Sequence, residues 1–492
     1  MKTRYWFALV AAVWFAPFPA WCVQAAQTQG VTSSAQQDWY QGRDSAQARA
    51  ELEQQLQEVA LARLHPEFLR LWRQLHTTPV DVRSPLYDEV FAKLARFQQA
   101  WRAMGLVARE QMKTVKIDLA KPLMSDVQGT DLLAQLVALR PQVAEYEAVR
   151  AKVKNLLSMP MASTWPTLTL PTLRPGDTHP ELGLIRTMLN ELGDGAPTDD
   201  DPRYDADTEL AVKAFQRRHG LTVDGIIGRQ TRSWLNTGPK VRASLLLRNL
   251  WRRDVVEQLA TPRYVLVNIP DYRLSVVNAG SEVFVSRVIV GKEQRATPIL
   301  ASEIRSIVLN PPWHVPRSIL NNDILPRLAR DPGYLGREQF EVIDGSGNTM
   351  QFSDDGWHQA LAAGFPYRLR QKPGDHNALG RYKFDLPNND AIYLHSTPRK
   401  SLFEKGARAF SSGCIRVERA DELATLLLAD SRYQPDKVTA ILTQGNTKWL
   451  SLLTPVPVFT VYWSSWLDEE GQQQLRNDIY GFDHPSVSAS LL

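Results

Sequence analysis

Residues 391–396 read AIYLHS and residues 411–417 read SSGCIRV. Each is a short apolar segment with a chemically active side chain near its end: His395 in the first, Cys414 in the second. Isoleucine, tyrosine, leucine and valine suit a pleated, half-buried strand, and the serines and glycine mark the bends beside it. In such a strand Arg416, two positions after Cys414, points to the same face as the thiol. His395 precedes Cys414 by 19 residues, a distance that lets a strand, a loop and a second strand bring the two together.

The same rhythm extends outward. RYVLVNI (263–269), YRLSVVN (272–278), EVFVSRVIVG (282–291), EIRSIVLN (303–310) and GRYKFDL (380–386) are all strand candidates. Asn278-Ala279-Gly280 supplies a hairpin turn. Short strands without long helices between them predict a mainly-β, sandwich-like or barrel-like domain over 261–450, with helices near 420–429 and 435–443. Residues 319–379 interrupt this rhythm. An insertion of that length in a compact domain is expected to be a lid or a solvated excursion, and its Trp357 and Tyr367 are candidates to close over a bound group. Residues 451–492 are expected to form a tail packed on the helical region upstream.

That upstream region, 36–160, reads as a helical scaffold. Leu86, Val90, Phe91, Leu94, Phe97, Trp101 and Met104 recur three or four apart, as do Leu132, Leu133, Leu136 and Leu139. Residues 161–177 carry repeated prolines and no helical period, which predicts a linker. From 178 to 237 a compact three-helix unit follows. Thr178 and Glu181 stand in capping-box spacing, Leu210, Ala211, Ala214 and Phe215 are the expected inward face of its second helix, and Gly220 is that helix's C-terminal cap. The whole chain is thus expected to be multidomain α+β.

At the N-terminus, Lys2 and Arg4 precede an apolar run and small residues at Ala20, Ala25 and Ala26, the layout of a signal peptide over 1–25. The run is shorter than a membrane-spanning helix needs, so a periplasmic protein rather than an integral membrane protein is expected. The chain holds two cysteines, and cleavage near Ala25 removes Cys22. A single thiol then remains in an oxidising compartment. Composition alone leaves two readings open for it, a reactive thiol or a small buried hydrophobe. With 57 Lys+Arg, 53 Asp+Glu and no basic run, nucleic-acid binding is not expected. No cluster of ligating side chains suggests a metal, and no cofactor is expected.

A cysteine nucleophile needs a base, donors for the oxyanion and a group that holds the substrate. His395 is the candidate base. Gly413 lacks a Cβ where a substrate carbonyl must approach, so the amides of Gly413 and Cys414 are the candidate oxyanion donors. Arg416 is the candidate partner of a substrate carboxylate, with a structural salt bridge as the alternative. Ser396, Ser411 and Ser412 offer hydroxyls to orient the imidazole or the substrate.

Two resemblances join these residues. AVKAFQRRHGLTVDGIIGRQTRSWLN (211–236) resembles the peptidoglycan-binding domain found beside bacterial wall enzymes. The pair HS and SSGCIRV resembles the signature of the L,D-transpeptidase catalytic domain of the YkuD type, and the outer segments 264–277, 288–300 and 308–316 resemble its earlier strands. Many members carry His directly before Gly-Cys; this chain has Ser412, which places more weight on His395. The resemblance implies attack by Cys414 on a tetrapeptide donor at the amide between diaminopimelate and terminal D-alanine. A thioester forms, and a second diaminopimelate resolves it as a 3→3 cross-link. It implies that Tyr393 and Trp313 wall the donor groove, and that carbapenems acylate Cys414. The implied partners are peptidoglycan stem peptides, with other wall-synthesis enzymes as further candidates. Hydrolysis of the same bond, or a non-catalytic wall-binding role, are the alternative functions.

Overall fold

The computed structural model describes residues 39–41, 44–112, 117–120, 131–196, 199–352 and 354–483; the expected signal peptide lies outside the described residues.

The strand-rich part begins with β1 (Arg263–Asn268), β2 (Arg273–Asn278), β3 (Ser281–Gly291) and β4 (Leu300–Leu309). The β2–β3 hairpin turns through Ala279 and Gly280, both at positive φ (50° and 81°), as a tight hairpin turn demands. After β5 (Trp313–His314), β6 (Phe340–Ile343), β7 (Thr349–Met350) and β8 (Arg368–Gln371), the chain returns as β9 (Tyr382–Asp385) and β10 (Leu394–His395). It continues through β11 (Ala409–Ser411) and β12 (Ile415–Val417) to β13 (Lys448–Val461). The main sheet has nine strands in the order β11-β3-β12-β10-β9-β4-β13-β1-β2, and an added pairing of the end strand β2 with β3 closes it. The expected sandwich-like domain is therefore one mixed sheet closed on itself. Val265, Val267, Val288, Ile307, Phe384, Leu394, Ile415 and Val458 fill its interior and are fully or almost fully buried. The helix Ala420–Leu428 adds Leu423 and Leu427 to the same core.

The domain limit expected at 450 falls inside β13, which pairs with β1 in parallel and with β4 antiparallel. The residues after 450 are thus first a central strand. Only the segment beyond it reaches the helical region, where Ser464 meets Asn249 at 3.0 Å and Asp483 meets Arg252 at 2.6 Å.

The insertion is a small domain of its own rather than a loop. It starts earlier than residue 319, because β5 pairs with β8 in a four-stranded sheet of order β5-β8-β6-β7. Leu320, Ile324, Leu328, Leu335, Phe365 and Leu369 make its core. Trp357 stacks on Phe365 at 6.3 Å between centroids and packs on Phe352 at 4.6 Å, while Tyr367 meets Phe365 edge-on at 5.4 Å. These two aromatics pack on the insertion's own core.

In the scaffold, the helix Ser84–Ala103 buries Leu86, Val90, Phe91, Leu94, Phe97 and Trp101 as their spacing predicts. A further helix, Pro239–Leu259, returns to this core after the three-helix unit and inserts Leu246, Leu247, Leu250 and Trp251. The scaffold is therefore discontinuous in sequence.

The three-helix unit consists of Leu182–Glu191, Ala206–Arg218 and Arg229–Leu235. Residues 161–177 are not a free linker. Leu168, Leu170 and Leu173 are buried in the unit's core, and Leu173 bridges Ile227. The Thr178/Glu181 capping box does not form, since Thr178 pairs with Arg203 in extended backbone and Glu181 makes no side-chain cap. Leu210 is 66% exposed while Ala211, Val212 and Phe215 are buried. The Asp205 side chain, accepting from Thr208 N–H at 2.9 Å, fixes a helix phase that turns Leu210 outward. Gly220, at φ +61°, caps the helix as expected, with Leu221 N–H donating to the Gln216 carbonyl at 2.9 Å.

Candidate active site

β10 lies between β12, in parallel, and β9, antiparallel. Leu394 faces Ile415, and His395 faces Arg416 on one side and Lys383 on the other. Leu394, Ile415 and Phe384 point into the core. Alternation then puts Tyr393, His395, Cys414, Arg416 and Lys383 on the outer face, beside the insertion. Strand pairing therefore gathers residues that are distant in sequence.

Cys414 is the one cysteine among the described residues and is a free, half-buried thiol. Tyr393 lies near the thiol and Trp313 near Tyr393, and both the backbone and the side chain of Tyr393 favour the thiolate. The thiol itself points to the Ala391 carbonyl at 3.9 Å. Burial pushes its pKa up, opposed by Tyr393, Lys383 and Arg416.

The His395 ring is buried. Its Nδ1–H donates to the Ser396 carbonyl at 2.5 Å, which sets the tautomer and leaves Nε2 as the basic nitrogen. Burial, and then the Arg416 charge, lower its pKa to about 3. At rest the site holds a neutral imidazole and a neutral thiol with no hydrogen bond between them, a pair in which proton transfer awaits substrate. His314 sits on β5 close to Arg368, Arg370 and Lys383, while His358 and His376 are exposed on the insertion and the loop after it.

Ser396 contributes its carbonyl rather than its hydroxyl. The hydroxyl is taken up inside the fold, donating to the Leu379 carbonyl at 3.0 Å and accepting the Tyr382 N–H at 3.0 Å. Its proton is therefore committed inside the fold.

Gly413 is required by backbone geometry. Its φ is +115°, and a Cβ there would stand 3.0 Å from the Ile392 side chain. Its N–H donates to the Ser411 hydroxyl at 3.1 Å, so the expectation that this amide is free for an oxyanion is corrected. The Ser411 hydroxyl donates in turn to the Cys414 carbonyl at 2.5 Å. The Cys414 N–H takes no partner among the described residues and remains as a donor.

Sequence reasoning missed the residues that hold this loop. Arg295 donates to the Ser412 hydroxyl at 2.9 Å and pairs with Asp323 of the insertion. The Thr297 hydroxyl donates to the Gly413 carbonyl at 2.7 Å and accepts the Gly291 N–H at 2.8 Å. From the C-terminal segment, the Tyr480 hydroxyl bonds the Gly291 carbonyl at 2.6 Å and the Thr297 N–H at 3.1 Å. Lys383 was also missed. Its ammonium lies 4.7 Å from the Tyr393 ring centroid and pairs with Asp385 at 2.9 Å. The alternation in GRYKFDL was the signal available for Lys383. Nothing local marks Thr297 or Tyr480.

Arg416 forms no ion pair with any described residue. Its Nε is buried without a hydrogen-bond partner.

These features lie within a recognised family segment. Residues 262–449 match the YkuD family model, described as the L,D-transpeptidase catalytic domain, and residues 178–235 match that of a peptidoglycan binding domain. The chain thus holds one segment similar to the YkuD L,D-transpeptidase catalytic domain and another similar to a peptidoglycan-binding domain. A curated relative from Haemophilus influenzae, named "Putative L,D-transpeptidase", is 40% identical over 219 residues, 44% of each chain. The match thus spans less than half of that relative's length. Among solved structures, an L,D-transpeptidase from Stackebrandtia nassauensis aligns over 60% of this chain and 97% of its own, at 14% identity and TM-score 0.22. One from Mycobacterium smegmatis aligns over 40% and 58%, at 12% identity and TM-score 0.20.

Proposed function

We propose that the protein is a cysteine-dependent L,D-transpeptidase that cross-links peptidoglycan stem peptides outside the cytoplasm. The observation that carries this reading is the shared outer face of β10 and β12. There a lone thiol shares a face with a neutral imidazole whose Nδ1–H is tied to a carbonyl, within a segment similar to this family. Cys414 attacks the carbonyl joining diaminopimelate to terminal D-alanine as His395 Nε2 takes the thiol proton. The Cys414 N–H supports the oxyanion. His395 then returns the proton to the leaving amine, D-alanine departs and a thioester remains. The side-chain amine of a second diaminopimelate attacks the thioester, the C–S bond breaks, and a 3→3 cross-link forms.

Incubation with a disaccharide-tetrapeptide, read by mass spectrometry, tests this. A cross-linked dimer supports transpeptidation, tripeptide monomer alone indicates hydrolysis, and unchanged substrate rejects an enzymatic role. A carbapenem should leave one stable adduct on Cys414 in the intact protein, and absence of an adduct would count against the donor pocket.

A further inference from the structure

The outer face that carries Cys414 continues across the sheet. His395 is in register with Lys383 on β9, Lys383 with Val308 on β4, and Val308 with Trp449 on β13. Residues in register across a sheet share a face, so Trp449 stands on the same side as the nucleophile. Its side chain is 55% exposed, although tryptophan is on average a highly buried residue, while its neighbour Leu450 lies in the core. Between the indole and the site lies Lys383, whose ammonium is 5.7 Å from the Trp449 ring centroid and 4.7 Å from that of Tyr393. Asp385 pairs with that ammonium at 2.9 Å, so its charge is already met and the lysine spaces two aromatic rings. A single exposed apolar side chain needs no function. One aligned by strand register with His395, and sharing a cation with Tyr393, extends the face of the site.

We propose that Trp449 is a saccharide subsite, its indole face stacking on the sugar that the donor stem peptide carries. The inference rests on the reaction proposed above and adds the sugar to what this face recognises. Four inter-strand steps separate β12 from β13, through β10, β9 and β4, about 19 Å at the ordinary strand spacing. In a disaccharide-tetrapeptide, three residues and a lactyl link join the attacked carbonyl to the sugar. Four such units, fully extended, reach at most about 14 Å. A peptide laid across the strands from Cys414 therefore ends short of Trp449, and the disaccharide at its end arrives over the indole. A pyranose ring presents C–H bonds on its apolar face, and the negative face of an aromatic ring attracts such positive edges. The sugar's lactyl carboxyl is tied up in the amide to the peptide, so the sugar is neutral. That suits a strip whose cation is already paired.

The test uses the full chain and two donors, the disaccharide-tetrapeptide and the same tetrapeptide with its lactyl cap but no sugar. Wild type should acylate with a kcat/KM higher for the disaccharide form by roughly 3- to 10-fold, the span of one aromatic stacking contact. Trp449→Ala should bring the two donors level. The loss should appear in KM, because stacking far from the reacting carbonyl is the same in ground and transition states. Trp449→Phe should restore part of the preference, since the smaller ring keeps an apolar face. Equal kcat/KM for the two donors in wild type would overturn the subsite while leaving the proposed reaction intact. So would a full preference retained in Trp449→Ala. A loss in that variant falling equally on both donors would also overturn it, marking Trp449 as a support for Lys383 and Tyr393. No acylation of wild type by either donor would overturn the proposed reaction and this inference with it.

Discussion

Two regions of this protein bury arginine, and they treat it differently. Along the helix Pro239–Leu259 Arg252 reaches Asp483 at 2.6 Å, Arg109 reaches Asp254 at 3.4 Å, and nearby Arg218 pairs with Asp194. Arg242 lacks a carboxylate but is satisfied by the Thr237 and Trp234 carbonyls and by the His219 ring at 2.7–2.8 Å. These contacts fasten scaffold, wall-binding unit and C-terminal segment into one interface. Arg248 of that helix likewise has no carboxylate and an unpartnered Nε, but it donates to the Ala62 carbonyl at 3.0 Å; on the outer face of β10 and β12, the Arg416 guanidinium has neither a carboxylate nor a hydrogen-bond partner among the described residues. A charge satisfied within the fold serves assembly, whereas one left open beside a nucleophile is available to a ligand.

The largest effect expected is at the chemistry itself. Cys414→Ser should fold and show no turnover, because its less nucleophilic hydroxyl replaces the thiol. His395→Ala should slow acylation by roughly 10²–10⁴-fold; an unchanged rate in single-turnover acylation would return the base to another histidine.

The comparison between arginines is broken or sharpened next. Asp483→Ala strands a buried guanidinium and should cost about 3–5 kcal/mol in denaturant unfolding. Arg416→Met should cost less than about 1 kcal/mol, since it removes a charge that lacks a counter-charge, yet it should abolish any preference for a donor with a free terminal carboxylate. Equal losses of stability would show that Arg416 is structural after all.

A smaller effect concerns pH. Glu110 is buried where the scaffold meets the segment after β13, accepting from Tyr462 N–H at 2.8 Å and from the Trp463 indole at 2.9 Å. Burial raises its pKa from 4.5 to about 7, opposed by Arg252. The fold thus favours the protonated acid, and this contribution to stability is present below pH 4.5 and lost as pH rises to about 7. Glu110→Gln should flatten that part of the Tm–pH profile. His395 acts in the opposite sense. Its depressed pKa adds stability above about 6.5 that is lost as pH falls towards 3, and His395→Gln should remove that acid-side loss.

The smallest effect is expected at Leu210. Being exposed, Leu210→Ser should change stability by no more than about 0.5 kcal/mol. Sedimentation with wall sacculi would show whether this apolar side chain contributes to polymer binding.

What the sequence determined by itself was local. Periodicity located the strands from 263 to 291 and the buried stripe of 84–103, because burial on one face leaves a repeat of two or of three to four. It also marked Cys414 and His395, whose rarity and neighbours carry chemical meaning without coordinates. Tertiary structure decided the rest. Prolines in 161–177 suggested a free connector, but three leucines bury there once the helices of the neighbouring unit provide a surface. The stretch after 450 looked like a tail until β1 and β4 left a gap in the sheet for β13. The insertion's aromatics are apolar enough to read as a core or as a cover, and only the fold shows the core of their own on which they pack. Gly413 was recognised, but its amide was already engaged by a hydroxyl two residues away. Thr297, Tyr480, Arg295 and Lys383 reach the nucleophile loop or its face from separate elements. Such convergence leaves no repeat in the chain, because non-local hydrogen bonds and charge pairs are set by register and packing rather than by spacing.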